Sequence, residues 1–301
     1  MIVRDHLPLQ KTWPHVSKRL GALFLFDTTI CILYTQFDIA WLGLPTLPLA
    51  IIGGALSVFL AFRNNSAYDR WWEARSLWGS LVNTARTFSR QVLTLVDDQE
   101  PDSASTSKQA LVEMQIAYVH ALRCHLRRQN PFPELEQHLP PEVIAHLRTQ
   151  RNVPIAMLLL MAQALREYFD QGRLDSMRFT TIDRSLTELC NVQGACERIK
   201  NTPLPRQYHY FPRLLVAVYS VLLPVGLVDG LGMLTPIVST LISFIFVSLE
   251  TIGKEIENPF ENTVHDTPMS SLTRTIEINL LQNLGRDRLP QEIRPIDGFV
   301  Y

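Results

Sequence analysis

The sequence predicts an all-α protein with four transmembrane helices and a helical cytosolic region. The segment from Ile39 to Phe62 holds 24 residues and no charge, which is the length a helix needs to cross about 30 Å of hydrocarbon. The segment from Leu214 to Leu249 contains one acidic residue, Asp229, in a glycine-rich turn, and this pattern predicts a hairpin of two spans. The mean hydropathy of +0.05 is low for a membrane protein, so about half of the chain must face water.

The composition argues against several classes of protein. The 301 residues carry a formal net charge of −1, which gives no reason to expect nucleic-acid binding. The four cysteines form no CxxC pair, and thiols on a cytosolic face stay reduced, so we expect no disulfide. The polar N-terminus, with Pro8 and Pro14 before any apolar run, does not resemble a cleavable signal.

Charged residues near the spans predict the orientation of the chain. Four cationic residues precede the first span and five follow the second, whereas the connection between these spans contains only Asp38. Cytoplasmic loops carry the excess of Lys and Arg. We therefore expect an integral protein of the cell (inner) membrane with both termini in the cytoplasm.

The first hairpin has one polar feature in its first span. That span centres on Gly21 to Tyr34 and must extend to Arg19 and Ile39 to cross the bilayer. Asp27 lies within it and would be costly unless it faces protein or water. Trp41 and Pro45 mark the outer turn. Asp27 and Asp229 are interpreted either as turn or interface residues or as weak cation sites near a pore mouth.

The second span carries two candidate faces. Small residues repeat at Gly53, Ser57 and Ala61, which is a helix-packing pattern. A neighbouring stripe contains Gly54, Val58 and Phe62 at the same spacing. The side chains of this stripe become larger toward the cytoplasm, from glycine to phenylalanine. Periodicity alone does not decide which stripe faces a lumen.

The helix of the second span is expected to continue beyond the membrane. Because no Pro or Gly cluster occurs before the Asp97 to Pro101 region, the helix should extend from lipid into water.

The remaining polar sequence predicts further helices. We expect amphipathic helices over Ser103 to Gln129, Ser176 to Asn201 and Thr267 to Leu284. Val153 to Gln171 has too few apolar residues to cross a bilayer and is predicted to be a buried cytosolic helix. The proline-rich stretch 130–142 is predicted to be a linker, and the tail from Gly285 to be loosely held.

Catalytic signals are missing from the sequence. All eight histidines lie outside the four predicted spans, and His120 and His125 are five residues apart rather than the four that align ligands on one helix face. The sequence also contains no phosphate loop, GxSxG or HExxH. We therefore expect no catalytic residues, no resident metal and no cofactor, and we do not expect an enzyme.

Two motifs in the sequence are specific enough to identify a resemblance to a known family. The segment FRNNSAYDRWWEARSLWGSLVN (62–83) follows an apolar helix, and an NPF triplet after the fourth span is followed by HDTPM and TIEINLL (275–281). Together they resemble the bestrophin ion channels, in particular the bacterial branch. The residues that carry the resemblance are Arg63, Asn64, Asn65, Tyr68, Arg70, Trp71, Trp72, Asn258, Pro259 and Phe260.

The resemblance implies a bestrophin-like homopentamer with a central pore. Its neck positions correspond to Gly54, Val58 and Phe62, and its cytosolic aperture to Met177 or the adjacent Arg178. Bulkier apolar residues usually occupy the first neck position, so Gly54 should widen the neck there. The animal members resemble chloride channels opened by calcium, which is bound partly by an acidic run shortly after the NPF triplet. In this sequence that run has only two acidic residues, Glu261 and Asp266. Because calcium needs six to eight oxygen ligands, we expect no calcium site here.

The functional expectation is a channel for small monovalent ions, which pass through a hydrophobic neck and a cytosolic aperture. The resemblance favours chloride. A monovalent cation (sodium) channel of the same fold is one alternative, and a non-conducting membrane scaffold is another. The expected partners are the permeant ions, membrane lipid and further copies of the chain, without nucleic acid.

The expected organisation along the chain has five parts. They are a cytosolic N-terminal segment (1–20), a first transmembrane hairpin (21–62), a cytosolic helical region (63–209), a second transmembrane hairpin (210–254), and a cytosolic C-terminal helix and tail (255–301).

Simpler interpretations compete with the functional ones. A methionine on an amphipathic helix, such as Met177, is by default core filler. The arginines Arg63, Arg70 and Arg75 either attract anions or form solvated ion pairs with Asp69 and Glu73. The tryptophans Trp71, Trp72 and Trp78 are more often interface anchors or packing between subunits than a functional platform.

Overall fold

The computed structural model describes residues 9–43, 45–97, 108–295 and 299, and these residues form an all-α fold. Its α-helices are α1 (Leu9–Gln36), α2 (Thr46–Leu95), α3 (Lys108–Arg127), α4 (Phe132–Leu135), α5 (Pro141–Arg148), α6 (Val153–Asp170), α7 (Ser176–Asn201), α8 (Arg206–Leu231), α9 (Thr235–Ile256) and α10 (Met269–Asn283). Predicted features within residues 1–8, 44, 98–107, 296–298 and 300–301 lie outside the described residues.

The chain divides into two compact units. The apolar unit comprises the described residues of Arg4–Trp71 and Pro203–Asn258. The polar unit comprises those of Trp72–Thr202 and Pro259–Tyr301. Helix α2 contributes its first half to the apolar unit and its second half to the polar unit.

In the apolar unit, α1, α8 and α9 pack against one another. Their shared core includes Leu20, Val216, Leu223 and Val247, and Leu60 of α2 packs into the same cluster. The outer faces of these three helices expose large apolar side chains, namely Phe24, Leu25, Ile32, Leu214, Leu215, Val218, Val221, Ile237, Leu241, Phe244, Ile245, Leu249 and Ile252. An apolar surface of this extent is typical of contact with lipid or with another protein.

Two helical stretches among the described residues are long and apolar enough to cross a membrane. They are Pro48–Leu95 and Arg206–Ile256, and the second contains both α8 and α9. Gly232 ends α8 with a φ of +50°, a conformation that favours glycine. A single 3-10 turn, Gly232–Leu234, then joins α8 to α9. The predicted tight connection of this hairpin is confirmed.

The beginning of the second predicted span is wrong by seven residues. A 3-10 turn occupies Ala40–Leu42, and α2 begins only at Thr46. Proline lacks a backbone N–H and restricts the residue before it, so Pro45 stands just ahead of the helix rather than within it. The predicted continuation of the helix is confirmed, because α2 ends at Leu95.

The polar unit is built around α3, which packs against α6, α7 and α10. The predicted buried helix is α6, and Asn152 caps it by accepting a hydrogen bond from the backbone N–H of Ile155. The predicted helices at 176–201 and 267–284 correspond to α7 and α10. The amphipathic prediction over 103–129 corresponds to α3, and its residues 103–107 lie outside the described ranges.

The proline-rich stretch is not a simple linker, which corrects that prediction. It contains α4 and the start of α5, each with a proline in its first turn. Proline suits this position because the first N–H groups of a helix have no intrahelical partner and its φ is already helical. In the described part of the chain, the four cysteines are free thiols.

Candidate functional site

One face of α2 packs inside the apolar unit. Leu49, Gly53, Leu56 and Leu60 are buried there at a spacing of three or four residues. Gly53 lies against Tyr219 of α8, and a Cβ atom at Gly53 would come within 2.4 Å of the Tyr219 hydroxyl oxygen. This face holds α2 against its neighbours through apolar contact.

The predicted neck stripe lies on a different side of α2. Apart from its own helix, no described atom lies within 4 Å of a Cβ built on Gly54. Val58 is 57% exposed and Phe62 is 67% exposed. The two stripes therefore have different environments, and the difference is clearest at the adjacent glycines: Gly53 is packed against α8, whereas Gly54 has open space beside it. Ser57 and Ala61 are also exposed, so the small-residue stripe packs only at Gly53.

Arg63 follows the stripe directly and is fully buried. Its Nη1 donates to the backbone oxygen of Glu250 at 3.0 Å, and its Nη2 lies 3.4 Å from Oε2 of Glu257. Arg70 Nε donates to the backbone oxygen of Glu257 at 3.2 Å. The prediction that Arg63 lies on a solvated face or pairs with Asp69 or Glu73 is wrong, because Arg63 is buried and its acceptors, Glu250 and Glu257, lie at the end of α9.

The same contact explains a glycine in α9. Asn64 Nδ2 donates to the backbone oxygen of Leu249 at 3.0 Å. A Cβ atom on Gly253 would lie 2.0 Å from Oδ1 of Asn64 and 3.0 Å from Nη1 of Arg63. The family motif after the second span therefore attaches α2 to α9 at a point where α9 has no side chain.

The aromatic residues of the motif have different environments. Tyr68 and Trp71 stack with their ring centroids 6.1 Å apart. Asn65 is exposed and Trp72 is 56% exposed. Trp78 is fully buried in the core of the polar unit. Trp78 is thus neither an interface anchor nor a contact between subunits, because α2 turns it toward the protomer's own core.

The NPF triplet and the acidic run after it are used within the protomer. Asn258 is exposed, and Phe260 is buried in the polar unit. The backbone oxygen of Pro259 accepts a hydrogen bond from the backbone N–H of Thr267 at 3.1 Å.

The two acidic residues after the triplet also have partners in the polar unit. Asp266 accepts hydrogen bonds from the backbone N–H and the hydroxyl of Thr263. Glu261 forms an ion pair of 2.8 Å with Lys200.

The two aperture candidates occupy the first turn of α7. Asp175 caps this helix by accepting from the backbone N–H groups of Met177 at 2.8 Å and Arg178 at 2.9 Å. Met177 is 80% exposed, so its interpretation as core filler is wrong. Arg178 donates to the Asp97 carboxylate at 3.0 Å and to the Leu95 backbone oxygen at 3.3 Å. Met177 is therefore the one of the pair whose side chain is directed into open space.

The buried acid of the first span faces protein. Asp27 is fully buried, and its Oδ2 accepts hydrogen bonds from the hydroxyls of Ser239 and Thr240 on α9. Asp229 accepts from the hydroxyl of Tyr34 at 2.7 Å. Both acids therefore join α1 to the second hairpin, which agrees with the interpretation of these residues as interface groups.

A second polar cluster, which the sequence motifs do not indicate, lies in the polar unit. It contains His120, Glu134, His138 and Glu277 from four different segments. The hydrogen bond from His120, followed by those from Arg123, holds the pKa of Glu134 down at about 2. Burial lowers the pKa of His120, but hydrogen bonds to Glu134 and Glu277 outweigh it, so that this pKa is raised.

Other functional groups were also missed from the sequence. Glu250 and Glu257, the partners of the motif arginines, gave no signal beyond being charged residues at the end of the predicted fourth span. Asp175 did give one, because an Asp just before a periodic segment is typical of a helix N-cap.

The sequence matches one family model over most of its length. The model for the bacterial/fungal bestrophin proteins matches residues 10–282. A voltage-dependent anion channel-forming protein of Ralstonia nicotianae, RSc3414, is 35% identical over 300 residues, which cover 97% of each chain. The Escherichia coli K12 protein YneE, with the same descriptive name, is 34% identical over 93% of this chain and 90% of its own.

Solved structures agree with the sequence comparison. The crystal structure of a bacterial bestrophin homologue from Klebsiella pneumoniae superposes with a TM-score of 0.84 at 30% identity. The match covers 91% of this chain and all of that one. With the motif contacts between α2 and α9 in place, the chain belongs to the bacterial branch of the bestrophin family, as its sequence motifs predict, and has the bestrophin fold.

Proposed function

We propose that this protein is an anion channel of the cell membrane and that its narrowest apolar section is formed by Gly54, Val58 and Phe62. The observation that carries the proposal is the open stripe on α2. On successive turns of α2, the open position at Gly54 and the exposed side chains of Val58 and Phe62 form an apolar stripe that the described residues leave largely uncovered, directly beside a face that is packed. Membership of a channel family favours transport over catalysis.

The proposed membrane part consists of α1, the first half of α2, α8 and α9. The length and composition of α2 and of the α8–α9 hairpin support spanning. Helix α1 joins them through its packing on α8 and α9 and through the buried Asp27. The cationic residues flanking the spans favour cytoplasmic termini and insertion in the inner membrane.

The pore requires several copies of the chain. One protomer provides a single α2, and one helix does not enclose a lumen. Closed rings are the usual form of such homo-oligomers, and the family resemblance gives five as their number. In such a ring, Val58 and Phe62 from each protomer would face the common axis, where their side chains meet ions instead of lipid.

A hydrophobic neck acts as a gate through dewetting. The side chains of the stripe supply no polar atom that replaces the water around an ion, so a narrow apolar section empties and conduction stops. A small dilation readmits water and ions. The open position at Gly54 makes the neck widest at its outer end, so we place the gate at Val58 and Phe62.

We further propose that Met177 forms a second constriction at the cytosolic aperture. Its exposure at the first turn of a capped helix gives each protomer one protruding apolar side chain. The paired Arg178 contributes less charge to the aperture than its sequence suggests, because Asp97 and Asp175 lie within 3.1 Å of its guanidinium nitrogens.

The test is a reversal-potential measurement on purified protein in planar bilayers or liposomes under a KCl or NaCl gradient. The names of the relatives favour anions, so the potential should approach the chloride equilibrium potential. A potential near that of the cation would replace the anion channel with a sodium-type channel of the same fold. No flux above that of protein-free liposomes would contradict conduction and favour the non-conducting scaffold.

A further inference from the structure

Three separate segments of the polar unit bring two histidines and a glutamate together. His120 lies on α3, His138 in the turn between α4 and α5, and Glu277 on α10. Their side chains are 7%, 10% and 8% exposed. One nitrogen or oxygen of each lies within 4.8 Å of those of the other two, and they line a cavity of about 100 Å³.

The hydrogen bonds of His120 determine which ring nitrogen is available. Its Nδ1 lies 2.5 Å from Oε2 of Glu134, and Glu134 is in turn held by the guanidinium of Arg123. This ionised carboxylate only accepts, so Nδ1 carries the proton. In a neutral ring the lone pair of Nε2 then points toward Oε2 of Glu277, 3.2 Å away. Two acceptors at this distance need a cation or a proton between them.

His138 adds a third acceptor to the same space. Its Nε2 lies 3.7 Å from Oε1 of Glu277, and its ring is stacked on that of His120 with centroids 5.7 Å apart. Two stacked imidazoles do not readily take a proton each, because the two charges repel. One divalent ion would satisfy both ring nitrogens and the carboxylate together, whereas one proton joins only two of the three groups.

The remaining charges of the cluster nearly balance without an added cation. Arg274 Nε lies 3.3 Å from Oε2 of Glu277, and Arg123 pairs with Glu134. Each carboxylate thus has a guanidinium beside it. Because Arg274 approaches Oε2 of Glu277, the oxygen nearer His138, Oε1, is the one available for a metal.

We propose that His120 Nε2, His138 Nε2 and Glu277 form a zinc-binding site. Two imidazoles and one carboxylate are an established ligand set for Zn²⁺, with water in the fourth position. Zinc bonds of about 2.0–2.1 Å place tetrahedral ligands about 3.4 Å apart, so the side chains close in slightly around the ion. Glu134 has the role of the carboxylate that orients a metal-bound histidine.

A bound zinc would join α3, the α4–α5 turn and α10. These segments are far apart in sequence, so such a link restrains the polar unit independently of ion conduction. Binding is therefore measurable on the full-length, untagged protein in detergent, with the metal alone as probe and without any flux assay.

The experiment removes metal with a chelator, dialyses the protein against Zn²⁺ and measures zinc per protomer by mass spectrometry. We expect about one zinc per protomer in the native sequence, and at least about tenfold weaker binding in His138→Ala and Glu277→Gln. Glu134→Gln should weaken binding by about 10–100-fold, the usual effect of losing an orienting carboxylate. The matched control is His146→Ala, because His146 is exposed on α5.

A second measurement separates loss of the site from loss of the fold. Zn²⁺ should raise the melting temperature of the native protein and of His146→Ala, with no comparable rise in His138→Ala. The comparison is the rise caused by zinc in each protein, so it does not depend on the melting temperature of that protein without zinc. Co²⁺ should give the visible absorption of a tetrahedral site only in the first two. Equal zinc binding by the native protein and His138→Ala, or no binding to either, would overturn the proposal and leave a protonated histidine cluster.

Discussion

The hydroxyl oxygen of Tyr219 occupies the place where a side chain at Gly53 would begin, since a Cβ atom there would lie 2.4 Å away. The adjacent Gly54 has open space beside it. Two neighbouring glycines therefore have opposite roles. Gly53 allows α8 to approach α2, whereas Gly54 leaves room on the side that we assign to the pore.

This difference predicts opposite effects of the same substitution. Gly53→Ala should lower the stability of the folded protein by about 1–3 kcal/mol, because the rigid tyrosine ring must move to admit the methyl group. Gly54→Ala should leave the melting temperature unchanged or slightly raised, since alanine is the better helix former. Thermal unfolding in detergent tests both. Equal losses in the two variants would contradict the packing of Gly53 on Tyr219.

Phe62 is expected to restrict the neck. Phe62→Ala should increase ion flux through liposomes several-fold, because the shorter side chain widens the apolar section and keeps it hydrated. The matched control is Phe24→Ala, which removes the same side chain from an exposed position of α1. A rise in flux with both substitutions, or with neither, would argue against a gate at Phe62.

The buried Arg63 should be important for stability. Arg63→Met leaves Glu257 buried without its cation and the backbone oxygen of Glu250 without its donor, and the loss of one member of a buried ion pair costs about 3–5 kcal/mol. Arg166→Met is the control, because Arg166 forms an exposed pair with Asp170 and its loss should leave the melting temperature unchanged. Comparable losses for the two variants would show that the α2–α9 contact contributes little.

Charges at Met177 should change ion selectivity if this residue lines the aperture. Met177→Glu would place one negative charge per protomer around the axis and shift the reversal potential toward that of the cation, whereas Met177→Arg would shift it toward chloride. Neither substitution disturbs packing, because Met177 is 80% exposed. Ala145→Glu adds the same charge at an exposed position of α5. If it shifts the potential as much as Met177→Glu does, the effect does not come from an aperture.

Much of the helical pattern was predictable, and the errors have physical causes. The start of α2 was predicted too early because the apolar composition begins at Ile39, although Pro45 disfavours the helical conformation at the residue before it. The α4 and α5 helices were missed because prolines in a short stretch suggest a linker, while the same residue is favourable in the first turn of a helix.

Exposure was harder to predict than secondary structure. Trp78 and Met177 both lie on helices that were expected, yet Trp78 was assigned to a surface and is buried, and the core-filler interpretation of Met177 was wrong because that side chain is exposed. The direction of a side chain is set by which neighbouring helix arrives opposite it, and that helix comes from a distant part of the chain. Arg63 shows the same effect, because its partners Glu250 and Glu257 are 187 and 194 residues away along the chain.

The sequence by itself determined the family, most of the helices and the apolar segments, because these follow from local composition, periodicity and adjacent motif residues. Only the tertiary structure decided which stripe of α2 is covered, that Arg63 bonds to α9, and that His120, His138 and Glu277 share one cavity. The histidine spacing along the chain gave no sign of that cluster. Its members come from three segments, and only the packing of those segments brings their side chains to one place.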